Sequence, residues 1–287
     1  MKTTFTAADG VPLQLRRWAA QGASRGSVLL VHGLGEHSGR YEAVAARLTA
    51  WGWTVVGYDQ RGHGRSGGAR GAIDSPDALL RDLGDIVDLV RADAGSGPLV
   101  LLGHSLGGLI AARFVAEGLG PSPAVWHRRI DALVLSSPAL DPGMNGAQKL
   151  LLAVLGPLAP NLAVSNGLKP EWISRDPAIV QAYVDDPLVH DRVTPQLVRF
   201  IADAGVLARE RAEHWRTPTL LMWAGSDRCV APAGSVAFAE AAPAARVTSH
   251  AFALLFHELF NEPEKDQVFE VLSRWLAARS DAPPSRH

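Results

Sequence analysis

The chain has 287 residues, 47% of them hydrophobic, and a formal charge of −1 at pH 7. This length and composition allow a sizeable buried core, and the lack of a basic stripe argues against nucleic acid as a partner. The single cysteine, Cys229, excludes an internal disulfide, supplies no thiolate cluster for a metal and fits a reducing, cytoplasmic location. The N-terminal segment lacks the apolar stretch of a secretory signal, and no run reaches the length of about 18 apolar residues that a membrane span needs.

The first predicted element is a β-hairpin, in which TTFTA and VPLQLRRW flank the turn signal Asp9-Gly10. After it, short apolar runs alternate with segments of helical spacing. The runs predicted as strands are SVLLV (27–31), WTVVGYD (53–59), PLVLLG (98–103), IDALVLSSP (130–138), TPTLLMWAGSD (217–227) and RVTSHAF (246–252), and the first four are predicted to be buried on both faces. The predicted helices lie near 40–51, 76–93, 106–118, 233–242 and 263–279. This alternation predicts an α/β protein with a mostly parallel central sheet and helices on both faces.

Residues 141–216 interrupt the alternation, because they are rich in proline and contain no strand-like run. We therefore expect a core formed by residues 1–140 and 217–279, a helical cap at 141–216 and a flexible tail at 280–287. Within the cap, the apolar run AQKLLLAVLGPL (147–158) either lines an acyl tunnel, touches a lipid surface or simply packs on the core.

The segment LLGHSLGGL (101–109) places Ser105 two residues after Gly103 and two before Gly107. The bare GxSxG pattern is weak evidence, but here a predicted strand leads into the serine and a predicted helix follows it, as in a nucleophile elbow. Glycines suit such an elbow because a side chain two residues from the strained serine would collide with the strand or helix. Ser105 is therefore the candidate nucleophile, and a surface serine at a glycine-rich strand exit is the alternative.

A serine hydroxyl needs a base and an orienting acid, which follow it along the chain in this arrangement. Asp227 lies just past a predicted strand, at the sheet edge where sites form, and a turn-capping role is its alternative. Two histidines compete as the base. We choose His257 because it falls in the loop before the last helix and can reach over the sheet edge, whereas His250 belongs to the last strand or its edge.

An oxyanion hole requires two backbone donors. The candidates are the amides of Leu106, directly after the serine, and of Leu34, in the loop after the first parallel strand. Of the remaining histidines, His104 precedes the serine and is expected to pack locally. Three others fall on strand-end loops and could line the pocket without transferring protons; they are His32, His37 and His63.

Several blocks of sequence, taken together, form a specific pattern that extends from residue 32 to residue 268. They are HGLGEHSGRY, DQRGHGRSGG, LLGHSLGG, DPLVHDRVTP, GSDRCVAP and FHELFNEPEKDQV. With these blocks the chain resembles the α/β-hydrolase superfamily, and more narrowly the monoacylglycerol lipase and lysophospholipase branch grouped with serine aminopeptidase-like hydrolases.

The resemblance implies a triad of Ser105, Asp227 and His257, an oxyanion hole formed by the amides of Leu34 and Leu106, and no metal or organic cofactor. It also implies that three further side chains surround the polar head of the substrate, namely Glu36, Arg40 and Tyr183. The expected reaction is cleavage of a carboxylic ester of a medium or long acyl chain through an acyl-enzyme.

Two other functions remain open at this point. One is a general carboxylesterase acting on short or aromatic esters, and the other is a non-catalytic ligand receptor on a hydrolase fold. A peptidase is disfavoured because the cap offers no convincing acidic pair for a substrate amine. The expected partner is a small-molecule or lipid ester, with peripheral membrane contact through the cap, and the sequence leaves the oligomeric state undetermined.

Overall fold

The computed structural model of the protein describes residues 3–94, 97–144, 146, 152–153 and 156–280. The predicted N-terminal hairpin is confirmed, because β1 (Thr4–Thr6) pairs antiparallel with β2 (Pro12–Trp18). Gly10 in its turn has a φ of 88°, a left-handed conformation that costs glycine little. The second strand of this hairpin, β2, joins it to the rest of the central sheet by pairing with β4.

The central sheet is mostly parallel, which confirms the predicted α/β class. Its other strands are β3 (Ser27–Val31), β4 (Thr54–Tyr58), β5 (Leu99–His104), β6 (Ala132–Ser136), β9 (Thr219–Ala224) and β10 (Val247–Phe252), and a separate two-stranded ribbon consists of β7 (Val164–Ser165) and β8 (Arg192–Val193). The order is β1-β2-β4-β3-β5-β6-β9-β10. In this sheet β2 is antiparallel to β4, and the six strands β4, β3, β5, β6, β9 and β10 run parallel to one another.

Successive residues of the buried strands point to opposite faces of the sheet, so each strand feeds two cores. In β3, Val28 belongs to one buried cluster and Leu29 to the other. The described α-helices are α1 (Glu42–Ala50), α2 (Ala78–Ala94), α3 (Leu106–Glu117), α4 (Pro177–Asp185), α5 (Pro195–Glu210), α6 (Pro232–Ala241) and α7 (Lys265–Ser280), and all of them except α4 pack on one face of the sheet or the other. The cluster with Val28 receives side chains from α1 and α7, and the cluster with Leu29 receives them from α2, α3, α5 and α6. This two-faced burial explains why the strands are continuously apolar.

The strand register brings the carboxyl ends of several strands to one edge. Val31 at the end of β3 pairs with Gly103 in β5, and His104 pairs with Ser136 in β6. The loops that follow these strands, and the segment after β9, therefore emerge side by side. Open parallel sheets place their ligand sites at this edge.

The described part of segment 141–216 contains helices, irregular loops and the short ribbon of β7 and β8. The sequence predicted no strand there, because two residues on each side are too few to form a periodic pattern. Helix α5 buries its apolar face, including Leu197, Phe200 and Ala204, against the core. The apolar run 147–158 lies largely outside the described residues, as does the tail after Ser280. Among the described helices, none combines the length and the apolar character needed to cross a membrane.

We expect Gly107→Ala to lower the free energy of unfolding by about 3 kcal/mol, because overpacking at a rigid site is destabilising. A Cβ atom at position 107 would lie 2.1 Å from the Val31 carbonyl oxygen and 2.4 Å from that of His32. Urea denaturation measures the loss. Gly156→Ala is the matched control, since a Cβ atom there would meet its nearest neighbours at 3.8 Å. Equal stability of the two variants would contradict the account of close backbone approach.

Candidate active site

Ser105 sits at a sharp turn between β5 and α3. Its φ of 54° and ψ of −119° are unusual for a residue with a side chain. Two backbone hydrogen bonds hold the turn: the Ser105 N–H donates to the Ser136 carbonyl, and the Ala139 N–H donates to the Ser105 carbonyl, both at 3.0 Å. The hydroxyl is thus presented at the edge of the sheet, beside the N-terminus of α3.

The two glycines beside the serine are required by close backbone contacts. A Cβ atom on Gly103 would lie 2.4 Å from the carbonyl oxygen of Gly107, and a Cβ atom on Gly107 would collide with the end of β3. The local backbone therefore has the conformation predicted from the sequence for a nucleophile elbow. Both glycines are needed for the predicted reason, which is close backbone approach.

Asp227 and His257 form a hydrogen-bonded pair at the same edge of the sheet. Asp227 Oδ2 lies 2.7 Å from His257 Nδ1, and Asp227 Oδ1 accepts from the amides of Cys229 and Val230 at 2.8 and 3.1 Å. A carboxylate can only accept, so the proton of the neutral imidazole must reside on Nδ1. This leaves Nε2 with its lone pair, which is the state that a general base requires.

The charges around His257 favour its protonated form. Burial alone would lower the pKa of His257, but the carboxylates of Asp227, and then of Glu258 and Glu36, raise it above its usual value. Burial raises the pKa of Asp227, yet His257 and the two backbone amides outweigh it and hold the pKa below its usual range. Asp227 therefore stays ionised and can stabilise an imidazolium ion.

The structure brings His257, and not His250, to Asp227. His250 lies on β10 with an exposed side chain, and its ring centroid is 4.4 Å from that of Phe252. His257 is buried in the loop after β10. As predicted from the sequence, His250 is a strand residue and His257 is a loop residue.

Ser105 and His257 line one cleft, which is partly open to solvent. Its walls come from the loop after β3, from the elbow, from residues 168–183 and from the segments after β9 and β10. The described residues that line it are Gly33, Leu34, Glu36, His104, Ser105, Leu168, Lys169, Pro170, Ile173, Tyr183, Cys229, His257 and Glu258. The predicted nucleophile, base and Leu34 thus share a single cavity, with Asp227 bonded to the base.

The loop after β3 holds the Leu34 amide in a defined orientation through His32. The backbone N–H of Gln60 donates to His32 Nε2 at 2.9 Å, so the neutral ring carries its proton on Nδ1 and donates it to the Gly33 carbonyl at 2.8 Å. Burial, the largest influence, lowers the pKa of His32 and keeps the ring neutral. In a planar trans peptide the N–H points opposite to the C=O, so His32 fixes the direction of the Leu34 N–H.

The elbow lies directly against this loop. A Cβ atom on Gly33 would be 3.2 Å from Ser105 Cβ. Leu106 is the first residue of α3, and the first amides of a helix have no acceptor within the helix. Both proposed oxyanion donors therefore adjoin the nucleophile, one on the preceding loop and one in the first helical turn.

A group of buried charges forms one wall of the cleft. Arg40 lies between the carboxylates of Glu36 and Glu258, and its guanidinium carbon is 4.7 Å above the ring centroid of Tyr183. Of the three residues that the resemblance assigned to the substrate head, Glu36 and Tyr183 line the cleft, and Arg40 lies behind them. Sequence reasoning missed Glu258, and its position directly after the base was the available signal.

The other histidines near the strand ends have local partners. Burial lowers the pKa of His104 to about 4, so this ring stays neutral 4.7 Å from the ring of His257. His37 pairs with Asp186 at 2.8 Å, and His63 stacks with His190 at 4.8 Å. His104 lines the cleft as a packed neighbour, but the described residues around the cleft do not include His32, His37 or His63, which corrects the expectation that these could line it.

One group of described side chains offers the ligand types that a metal ion binds. Atoms of Asp227, Cys229 and His257 lie within 4.8 Å of one another. The Asp227–His257 hydrogen bond already uses two of these atoms, and burial raises the pKa of the Cys229 thiol. The expectation that the reaction needs no metal or cofactor stays a prediction.

The segment 186–190 contacts the loop after β3, which contains Leu34. The His190 N–H donates to the Gly35 carbonyl at 2.8 Å, and a Cβ atom on Gly35 would lie 2.2 Å from the His190 carbonyl oxygen. Glycine at position 35, with a φ of 76°, therefore permits this close contact.

Comparison with known proteins places this geometry in a family. The sequence profile of the family described as serine aminopeptidase, S33, matches residues 22–264. A monoacylglycerol lipase of Mycolicibacterium smegmatis is 34% identical over 279 residues, which cover 96% of each chain. A monoglyceride lipase of Homo sapiens is 32% identical over 95% of this chain and 89% of that protein. The crystal structure of the monoacylglycerol lipase of Paleococcus ferrophilus superposes with a TM-score of 0.81 at 34% identity, covering 93% of this chain and 98% of that one. The chain therefore belongs to the serine aminopeptidase S33 family of α/β hydrolases and is a serine ester hydrolase of the monoacylglycerol lipase-like type.

Proposed function

We propose that the protein hydrolyses monoacylglycerols of medium or long acyl chain, with Ser105 as nucleophile, His257 as base and Asp227 as acid. The observation that carries this proposal is the 2.7 Å hydrogen bond between Asp227 and His257, in a cleft that His257 shares with a strained serine. The likeness to monoacylglycerol lipases supports the choice of substrate.

The proposed reaction has two acyl-transfer steps. Ser105 Oγ attacks the ester carbonyl while His257 Nε2 takes the hydroxyl proton, and the imidazolium then returns this proton to the departing glycerol oxygen. Water attacks the acyl-enzyme by the same route and releases the fatty acid. In both steps the Leu34 and Leu106 amides donate to the developing oxyanion, and each such donor is typically worth about 3–4 kcal/mol of transition-state stabilisation.

The polar head of the substrate is proposed to lie along the wall that Glu36, Arg40 and Tyr183 form. Glu36 and Tyr183 border the cleft directly. Charged and hydroxyl groups suit a glycerol head, because its hydroxyls can both donate and accept hydrogen bonds.

We propose further that residues 141–216 form the cap over a core of residues 1–140 and 217–279. The described cap residues include large apolar side chains that are exposed to solvent, such as Leu158, Leu162 and Val184. Exposed apolar side chains suit transient contact with a lipid surface. The cytoplasmic location stays a prediction.

Ser105→Ala is expected to lower the turnover of p-nitrophenyl butyrate by about 10⁴-fold or more, because it removes the nucleophile. The melting temperature and circular dichroism are expected to stay near those of the parent protein. Ser137→Ala is the matched control: Ser137 is buried, has a positive φ of 41° as Ser105 has a positive φ, and its hydroxyl has no hydrogen-bond partner among the described residues. Substantial turnover by the Ser105 variant would reject the assigned role.

The acyl-chain preference tests the substrate class. Monoacylglycerols and p-nitrophenyl esters of graded chain length, assayed side by side, are expected to give the highest kcat/KM with medium or long chains. An apolar tunnel gains about 0.8 kcal/mol for each methylene that it buries. A sharp optimum at acetate would favour the general carboxylesterase instead.

The pH dependence follows from the charges around His257. Only the neutral imidazole accepts a proton, and its pKa is raised, so kcat/KM is expected to fall with decreasing pH at a midpoint above the usual histidine value of about 6.5. Glu258→Gln removes one of the carboxylates that raise this pKa and should move the midpoint to lower pH. A stopped-assay pH profile on p-nitrophenyl butyrate measures both midpoints, and an unchanged midpoint in the variant would contradict the electrostatic account.

A further inference from the structure

Two loops that carry the proposed catalytic groups meet at one buried arginine. The loop after β3 contains the Leu34 amide, and the loop after β10 contains His257. Arg40 Nη1 donates to Glu36 Oε2 and to Glu258 Oε1, both at 2.6 Å, and Arg40 Nη2 donates to Glu258 Oε2 at 2.9 Å. Residues 218 positions apart in the chain are thereby joined beside the cleft.

On one side of Arg40, Glu36 connects the guanidinium to the loop after β3, which contains the Leu34 amide. Glu36 Oε1 accepts from the Gly33 N–H and from the Tyr41 hydroxyl, each at 2.6 Å. The Gly33 N–H is one peptide before the Leu34 N–H. Glu36 therefore fixes the peptide immediately before the one that carries the proposed oxyanion donor. His32 fixes the next peptide, because it donates to the Gly33 carbonyl.

On the other side of Arg40, Glu258 connects the guanidinium to the loop that carries His257. Glu258 follows His257 directly, and its own N–H donates to the Ile173 carbonyl at 2.8 Å. Its carboxylate also accepts from Asn261 Nδ2 at 2.7 Å. A shift of this carboxylate would therefore displace the backbone that holds the imidazole.

The group is buried and its charges are strongly coupled. The side chains of Glu36, Arg40 and Glu258 are 5%, 11% and 7% exposed. Burial would raise the pKa of Glu36, yet Arg40 above all holds it at about 2, so the carboxylate stays ionised. Burial opposes the charge on Arg40, but Glu258 and Glu36 raise its pKa above the usual value. Buried ion pairs depend on good geometry, because their desolvation is costly.

We propose that Arg40 is a positioning residue that sets the spacing between the oxyanion amides and His257, in addition to any contact with the substrate head. This inference rests on the proposed triad. The planar guanidinium engages both carboxylates at once through fixed donors, whereas the ammonium of lysine is a compact point charge without that fork. Arg40→Lys keeps the positive charge and loses the bridging geometry.

A substrate without a glycerol head separates the positioning role from head binding. On p-nitrophenyl butyrate, Arg40→Lys is expected to lower kcat by about 10- to 100-fold, because displacements near 1 Å cost about that much. KM should change by less than about 3-fold, since the acyl contacts are untouched. Labelling by a fluorophosphonate probe, which also lacks the head, should slow in parallel with kcat.

Arg61→Lys is the matched control for loss of a buried, two-point arginine pair. Arg61 Nε and Nη2 donate to the two oxygens of Asp82 at 2.7 Å, and the two side chains are 4% and 2% exposed. This pair ties the segment after β4 to α2 and contacts neither the loop after β3 nor the loop after β10 directly; the nearest link is the neighbouring Gln60, whose N–H bonds His32. We expect Arg61→Lys to lower the melting temperature as much as Arg40→Lys does while leaving kcat within about 2-fold of the parent value.

Two results would overturn the proposal. If Arg40→Lys raised KM for monoacylglycerols and left p-nitrophenyl butyrate unaffected, Arg40 would serve head binding alone. If both lysine variants changed kcat alike, the effect would be a general loss of stability. Ser105→Ala assayed in parallel separates the proposed triad from the positioning role of Arg40. If Ser105→Ala were inactive and Arg40→Lys fully active, only the positioning role would be rejected.

Discussion

The strained backbone of Ser105 is the constraint on which the site depends. A φ of 54° at a residue with a side chain persists only where the surroundings leave no alternative. Here β5, α3 and the segment after β6 hold the turn from three sides, and glycines at positions 103 and 107 allow the backbones to approach. The stability of the whole sheet thus maintains one hydroxyl in a position that a relaxed turn would not give it.

Much of the fold could be predicted because burial on both faces leaves a simple pattern in the sequence. Runs such as SVLLV and PLVLLG have no polar face, and they correspond to β3 and β5 within a residue or two. The ribbon of β7 and β8 could not be predicted in this way, since each strand has two residues and contacts across the cap region decide its pairing. The burial of α5 in the core was equally hidden, because an amphipathic helix looks the same whether it covers a core or a cleft.

The candidate catalytic residues were predictable for a related reason. Asp227 and His257 follow strand ends, and the ends of parallel strands meet at one edge. The bridge through Arg40 was not, because it depends on side chains that converge from residues 36, 40 and 258. Likewise, the role of His32 depends on one hydrogen bond from Gln60, which selects the tautomer and so the direction of a neighbouring peptide. Spacing along a chain carries no information about such convergence.

The burial of α5 has a consequence for how this architecture can diversify. Because Leu197, Phe200 and Ala204 belong to the same packed interior as the sheet, the C-terminal part of residues 141–216 is fixed to the core. Insertions, deletions or transplanted sequences are therefore best tolerated between residues 157 and 169, where most side chains are exposed and none belongs to the two buried clusters. Substrate preference can therefore change through that stretch while the sheet and the loops of the candidate site keep their structure.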